Sequence, residues 1–148
     1  MSRFLIIVSF LLIYGNAGAQ SGKQKKSDAD EIKQIMMVLN NQAKAWSEGN
    51  LEKFMEGYWK SDSLMFLGSR GITYGWEKTL ANYKKGYPDR SHTGKLDFEV
   101  LHLEKVGKDA YFMMGKFMLT REVGDTSGFF SLLWKKIHGE WKVVIDHT

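Results

Sequence analysis

The sequence predicts an α+β fold in which a curved, mainly antiparallel sheet wraps around a long N-terminal helix and two shorter helices. Three observations predict it. Apolar residues recur every three or four positions between residues 32 and 46, as on one face of a helix. Long β-rich runs separated by turns follow residue 95. Two of these runs, Phe129–Ile137 and Trp141–Ile145, flank a turn at His138-Gly139-Glu140 that is typical of a β-hairpin.

Composition narrows the class of protein. The chain has 148 residues, enough for one domain with a single core. It has no cysteine, which excludes a disulfide framework, a thiol nucleophile and a thiolate metal site. The formal net charge of +4 is spread thinly, and the one basic cluster lies in a tail, so we expect no nucleic-acid partner. Phosphate-loop and cofactor fingerprints are absent from the sequence, and we expect no cofactor.

The N-terminus resembles a signal peptide at residues 1–19. Arg3 supplies the positive region, Phe4–Tyr14 the apolar run, and Ala17-Gly18-Ala19 a cleavage site before Gln20. The apolar run is short for a membrane span of roughly 20 residues, so we expect a periplasmic or secreted protein without a stable membrane anchor. An uncleaved membrane anchor is the alternative.

A domain from residue 28 to 148 follows a disordered lead-in at 20–27. Ser27 or Asp28 is the predicted N-cap of the long helix, and Gly49 its end. Asn50 caps a second helix that runs to Tyr58. The apolar stripe of the long helix comprises Ile32, Ile35, Met36, Leu39, Ala43 and Trp46.

The remaining elements follow from turns and alternation. Two short strands, 64–67 and 72–74, surround a Gly68–Gly71 turn, and a helix covers 76–85. After a polar loop at 89–95, the predicted strands are 96–106, 110–122, 128–137 and 141–147.

Three local motifs carry a family resemblance. They are A-W-S-E-G-N-L-E-K-F at 45–54, Y-G-W-E at 74–77 and L-L-W-K-K-I-H-G-E-W-K-V-V-I-D-H-T at 132–148. With the order of elements, they resemble the nuclear transport factor 2-like superfamily, in particular SnoaL-like and ketosteroid-isomerase-related proteins and the association domain of calcium/calmodulin-dependent protein kinase II. The resemblance implies a cone-shaped fold with a mixed sheet and one deep pocket. It does not fix the activity, because this fold hosts isomerases, cyclases, dehydratases and oligomerisation modules.

The functional residues of these relatives do not carry over. Where a ketosteroid isomerase has a tyrosine donor and an aspartate base, this chain has Gln42 and Leu67. Where the kinase association domain has pocket arginines, it has Met118, Leu132 and Thr148. Neither steroid isomerisation nor carboxylate capture is therefore supported at those positions.

The resemblance and strand alternation predict which side chains line the pocket. They put Asp146 on the concave face and turn His147 outward, to the rim or a dimer contact, unless a β-bulge shifts the alternation. Burial would raise the pKa of Asp146 and make it a general acid or base, with or without His147. Alternatively, Asp146 is structural and bonds a helix N-terminus, a tyrosine or a lysine, and His147 is a strand-end or interface residue. The predicted ligand-binding residues are Trp46, Tyr58, Trp76, Tyr83, Lys116, Met118, Leu132, Trp134 and Thr148.

Three functions remain open. The first is an exported protein whose aromatic pocket binds a small hydrophobic or aromatic molecule. The second is a cofactor-independent isomerase, dehydratase or hydrolase that uses Asp146. The third is a homodimerisation module, joined through an outer sheet face that carries Tyr111, Met113, Phe117 and Phe129. The histidines share no metal-like spacing with carboxylates, so we expect no metal site.

Overall fold

The computed structural model describes residues 17–148, with side chains from residue 27 onward. Residues 33–148 form one compact unit, and the described residues before 33 belong to a separate one. Within the described range, no helix is both long and apolar enough to cross a membrane. Most of the predicted signal peptide, residues 1–16, lies outside the described residues, and its cleavage stays a prediction.

In chain order the elements are α1 (Ala17–Ser47), α2 (Leu51–Met55), β1 (Met65–Gly68), β2 (Gly71–Tyr74), α3 (Trp76–Gly86), α4 (Arg90–Thr93), β3 (Lys95–Gly107), β4 (Ala110–Thr120), β5 (Thr126–Ile137) and β6 (Glu140–His147).

Helix α1 begins earlier than the sequence predicted. Ser27 and Asp28 lie inside the helix instead of capping it, and residues 20–27 are helical where we predicted a disordered lead-in. Lysine and glutamine, which are good helix formers, make up five of the eight residues in this segment. The predicted end is confirmed, because Gly49 has a φ of 76° and its N–H donates to the carbonyl of Trp46 at 2.8 Å.

The shorter helices are held by specific polar contacts. The Asn50 side chain accepts a hydrogen bond from the Lys53 N–H at 2.9 Å, which confirms it as the cap of α2. Helix α2 ends at Met55, before the predicted Tyr58. The one-turn helix α4, which lies in the predicted polar loop, is capped by Asp89, whose side chain accepts from the His92 N–H.

The sheet has six strands in the order β2-β1-β6-β5-β4-β3 and does not close into a barrel. Among the strands of the described residues, only the β1–β6 pair is parallel. The predicted α+β class with a mixed, mainly antiparallel sheet is therefore confirmed. The β5–β6 hairpin is also confirmed: His138 and Gly139 both have positive φ, 50° and 86°, as a two-residue type I′ turn requires.

One face of this sheet, the inner face, packs against the helices. Register pairs Tyr111 with Trp134 and Met113 with Leu132, so these four side chains share that face. They form one core cluster with Ile35 and Leu39 of α1. Each fully buried aliphatic side chain of this kind stabilises the fold by about 1.5–3 kcal/mol.

The residues on the opposite, outer face of the sheet differ from those predicted. Tyr111, Met113 and Phe117 were expected there, but all three are on the inner face, where Tyr111 and Met113 are buried in the core. The outer face carries Met114 and Phe129, which are 43% and 71% exposed. The prediction for β4 was therefore wrong: the residues predicted to face outward face inward, and those predicted to face inward face outward.

Gly115 generates a stability prediction. A Cβ at this position would lie 2.3 Å from the Phe130 ring and 2.7 Å from the Glu99 carbonyl oxygen, and the backbone oxygen cannot move aside. We expect Gly115→Ala to lower the free energy of unfolding by about 1–3 kcal/mol in chemical denaturation. The control is Gly107→Ala in the neighbouring strand, where the nearest atom to a Cβ would be 3.5 Å away. Equal effects of the two substitutions would contradict the prediction.

Candidate functional site

A small cavity lies between the helices and the inner face of the sheet. We call it the inner cavity, and its volume is about 110 Å³. Helices α1 to α3 and strands β1 and β3 to β6 contribute to its wall. The lining residues are Leu39, Gln42, Trp46, Phe54, Tyr58, Phe66, Tyr83, Tyr87, Leu96, Phe98, Phe117, Leu119, Phe130, Leu132, Asp146 and Thr148.

A β-bulge in β6 decides which polar residue enters this cavity. Trp134 pairs with Val143 but Leu133 pairs with Ile145, so β6 has an extra residue, Val144, at this point. Strict alternation from Val143 would turn His147 inward. The extra residue reverses the alternation, and Asp146 faces inward instead. Asp146 is 3% exposed, whereas His147 is exposed to solvent.

The backbone of Val143, next to this bulge, positions Tyr58. The Val143 N–H donates to the Gly57 carbonyl and the Val143 carbonyl accepts from the Trp59 N–H, both at 2.9 Å. These bonds fix the segment after α2 against β6 as an isolated parallel bridge. The Tyr58 hydroxyl then donates to Asp146 Oδ2 at 2.7 Å, although the two residues are far apart in sequence.

The second carboxylate oxygen of Asp146 is held from the other side. Phe66 of β1 pairs with Asp146 in the parallel part of the sheet, and the Thr148 N–H donates to the Leu67 carbonyl at 2.9 Å. The backbone bond holds Thr148 beside Asp146, and the Thr148 hydroxyl donates to Asp146 Oδ1 at 2.5 Å. Each oxygen of the buried carboxylate therefore has one protein donor.

Burial governs the acid–base properties of this group. Desolvation raises the pKa of Asp146 from 3.8 to about 6, against the smaller opposing effects of the Thr148 and Tyr58 hydrogen bonds and the charge of His147. Burial, and then the charge of Asp146, raise the pKa values of Tyr58 and Tyr83 well above their usual value. Both tyrosines thus remain neutral hydroxyl donors beside a carboxylate that titrates close to neutrality.

Several predicted site residues do line the inner cavity. They are Trp46, Tyr58, Tyr83, Leu132, Asp146 and Thr148. The structure brings these residues together from α1, the segment after α2, α3, β5, β6 and the residue after β6.

Other predicted site residues lie elsewhere. Lys116 and Met118 are on the outer face. Lys116 pairs with the exposed Phe129, and Met118 is two residues further along β4, so both side chains point away from the cavity. Trp134 is fully buried in the core and does not line the cavity. The Trp76 indole N–H instead joins α3 to the Met55 carbonyl at 2.8 Å. His147, the predicted second catalytic residue, faces solvent.

Sequence reasoning missed most of the aromatic lining and one polar residue. Phe117 and Phe130 enter the cavity because they share the inner face with Leu132, which the cross-strand register of β4 and β5 determines. Gln42 is buried in the cavity wall and donates to the Phe54 carbonyl at 3.1 Å. Its helical spacing from Leu39 and Trp46 was the available signal.

Solved structures give the relationship of this chain to known proteins. An NTF-2 like protein of unknown function from Shewanella oneidensis is 34% identical, with a TM-score of 0.76, over 79% of this chain and 97% of that one. The chain belongs to the NTF2-like family. The NTF2-like assignment agrees with the resemblance drawn from the local motifs.

More distant structures share the fold alone. A ketosteroid isomerase-like protein from Erwinia carotovora is 15% identical, with a TM-score of 0.61, over 79% of this chain and 93% of that one. A putative calcium/calmodulin-dependent protein kinase type II association domain from Thiobacillus denitrificans is 12% identical, with a TM-score of 0.62, over 74% of this chain and 89% of that one. No model of a known protein family matches the sequence, and no curated protein is significantly similar to it.

The raised pKa of Asp146 generates a prediction about stability and pH. Between pH 3.8 and about 6, the folded protein keeps a proton on Asp146 that the unfolded chain has lost. The contribution of Asp146 to the free energy of unfolding therefore falls as pH rises through this window. We expect the unfolding free energy of the wild type, minus that of Asp146→Asn, to fall by about 2–3 kcal/mol across it. Denaturant titrations at a series of pH values measure this difference, and a flat or rising curve would contradict the assignment.

Proposed function

We propose that this NTF2-like protein is exported and binds a small, largely apolar molecule of about one ring, which donates a hydrogen bond to Asp146. The observation that carries the proposal is an aromatic cavity with a single carboxylate in its wall, held by two protein donors. Apolar pockets with a few placed polar groups are the usual form of small-molecule sites.

The volume of the inner cavity sets the size of the ligand. At about 110 Å³ it is close to an engineered cavity of about 150 Å³ that binds benzene. Pockets for drug-sized ligands are roughly 300–1,000 Å³. A single ring or a short chain fits this space, and a four-ring steroid does not.

The aromatic residues support a pocket that is formed before the ligand arrives. Trp46 packs edge-on against Phe54 and Tyr83, with ring centroids 4.9 and 5.5 Å apart. The Trp46 indole N–H also donates to the Thr93 carbonyl at 2.8 Å, which fixes its ring. Interlocked rings of this kind lose little rotamer freedom on binding, so less of the binding energy is spent on ordering them.

Asp146 supports a ligand that donates a hydrogen bond. An ionised carboxylate has about four acceptor positions, and Tyr58 and Thr148 occupy two of them. A phenolic or alcoholic hydroxyl satisfies a third position while its ring remains among the aromatic side chains.

The binding proposal is tested with para-cresol, which combines one ring with one hydroxyl donor. We expect Leu132→Phe to weaken binding at least tenfold in isothermal titration calorimetry, because the larger side chain occupies the inner cavity. The matched control is Leu133→Phe, the next residue of β5, which faces the other side of the sheet and should change affinity less than about twofold. Absence of wild-type binding, or equal loss in both variants, would reject the proposal.

Catalysis is the second candidate, and one observation favours it. A carboxyl group with a pKa of about 6 beside neutral tyrosine donors has the properties of a general base near neutrality.

The test of catalysis follows α-hydrogen exchange of cyclohexanone in deuterated buffer by NMR. Enzymatic exchange should rise as Asp146 ionises and should disappear in Asp146→Asn. Exchange no faster than in buffer alone would rule out this candidate and leave the binding proposal in place.

A homodimer through the outer sheet face also stays a proposal. Its support is apolar exposure on that face, at Met114 and Phe129. Sedimentation of the wild type and of Phe129→Lys tests it, since a charge placed at this interface should shift a dimer toward monomer.

A further inference from the structure

A second, wider opening adjoins the inner cavity. We call it the outer cleft, and its volume is about 670 Å³. Phe66, Tyr83, Tyr87 and Thr148 line both spaces, so these four residues form the boundary between them. A ligand whose ring occupies the inner cavity would extend past this boundary into the outer cleft.

The charged side chains that line the outer cleft are all cationic. Its charged lining residues are Arg70, Lys85 and Arg121, and no aspartate or glutamate lines it. They come from the β1–β2 turn, helix α3 and the residue after β4, so the fold gathers them from distant parts of the sequence. Cationic side chains gathered in a concave site without acidic side chains attract an anion.

These cations are not neutralised by the described part of the chain. Within residues 27–148, none of the three forms an ion pair. Arg121 Nε donates to the Gly124 carbonyl at 2.8 Å, which orients the guanidinium. The nearest acidic contact is at the backbone: the Asp125 side chain accepts from the Arg121 N–H at 2.9 Å.

We infer that the ligand is an aromatic acid, whose ionised carboxylate is held by Arg70, Lys85 and Arg121 in the outer cleft while its ring fills the inner cavity. This inference rests on the proposed binding function. Guanidinium groups bind carboxylates through paired, charge-assisted hydrogen bonds, and the boundary residues join the charged and apolar parts of the site. The arrangement differs from the pocket arginines implied by the family resemblance, whose positions hold Met118, Leu132 and Thr148 here.

The test compares an acid with its neutral counterpart. The probes are 3-(4-hydroxyphenyl)propanoate and its primary amide, together with the acetate homologue and its amide, titrated calorimetrically against the full chain. We expect at least one acid to bind at least tenfold more tightly than its amide. Raising the salt concentration should weaken binding of the acid and leave the amide unchanged, because the cleft is open to solvent.

Variants assign the effect to the outer cleft. Arg70→Gln, Lys85→Gln and Arg121→Gln should each reduce the ratio of acid to amide affinity at least threefold while amide affinity is retained. The matched control is Lys78→Gln, an exposed lysine of the same helix as Lys85 that does not line the cleft. It should leave the ratio unchanged.

The outcomes separate this inference from the proposed function. If acids and amides bind equally well, or if all three cleft variants keep the wild-type ratio, the anion site is wrong and the apolar binding site stands. If neither the acids, the amides nor para-cresol bind the wild type, both are wrong.

Discussion

The candidate site depends on the extra residue that β6 carries at Val144. Because of it, the next inward side chain after Val143 is a carboxylate instead of an imidazole. Beside this bulge, the backbone of Val143 bonds the segment from Gly57 to Trp59, which places Tyr58 within reach of that carboxylate. A strand of perfect alternation would bury His147 and expose Asp146, and Tyr58 would have no acceptor at its present distance.

Two opposing influences act on Asp146 in this site. The aromatic wall removes water from Asp146 and favours its neutral form, while the Tyr58 and Thr148 hydroxyls favour its charged form. Burial is the larger effect, so the carboxyl group titrates close to neutrality. The aromatic wall also restricts the cavity to about one ring, whereas the cationic cleft outside it is several times larger. In the binding that we propose, selectivity comes from the narrow inner part, and electrostatic attraction from the wide outer part.

The sequence predicted the fold well because its signals are local. Turn residues such as Gly139, the cap at Asn50 and the apolar period of α1 act over a few residues. The site was less predictable because it depends on the relative phase of paired strands. Met118 and Phe117 are adjacent in sequence, and only the pairing of β4 with β5 decides which of them faces inward. The cationic cleft could not be predicted for a similar reason, since Arg70 and Arg121 line one cleft only when the sheet and α3 assemble.

The contact of Phe130 with Gly115 has a consequence for the size of the inner cavity. The Phe130 ring lies over Gly115 and packs edge-to-face with Phe98, with ring centroids 5.4 Å apart, at the sheet wall of the cavity. The backbone pairing of the strands is independent of the size of that ring. A smaller side chain at position 130 would therefore enlarge the inner cavity at its sheet wall, so the volume of this one residue limits the length of a ligand in the proposed site.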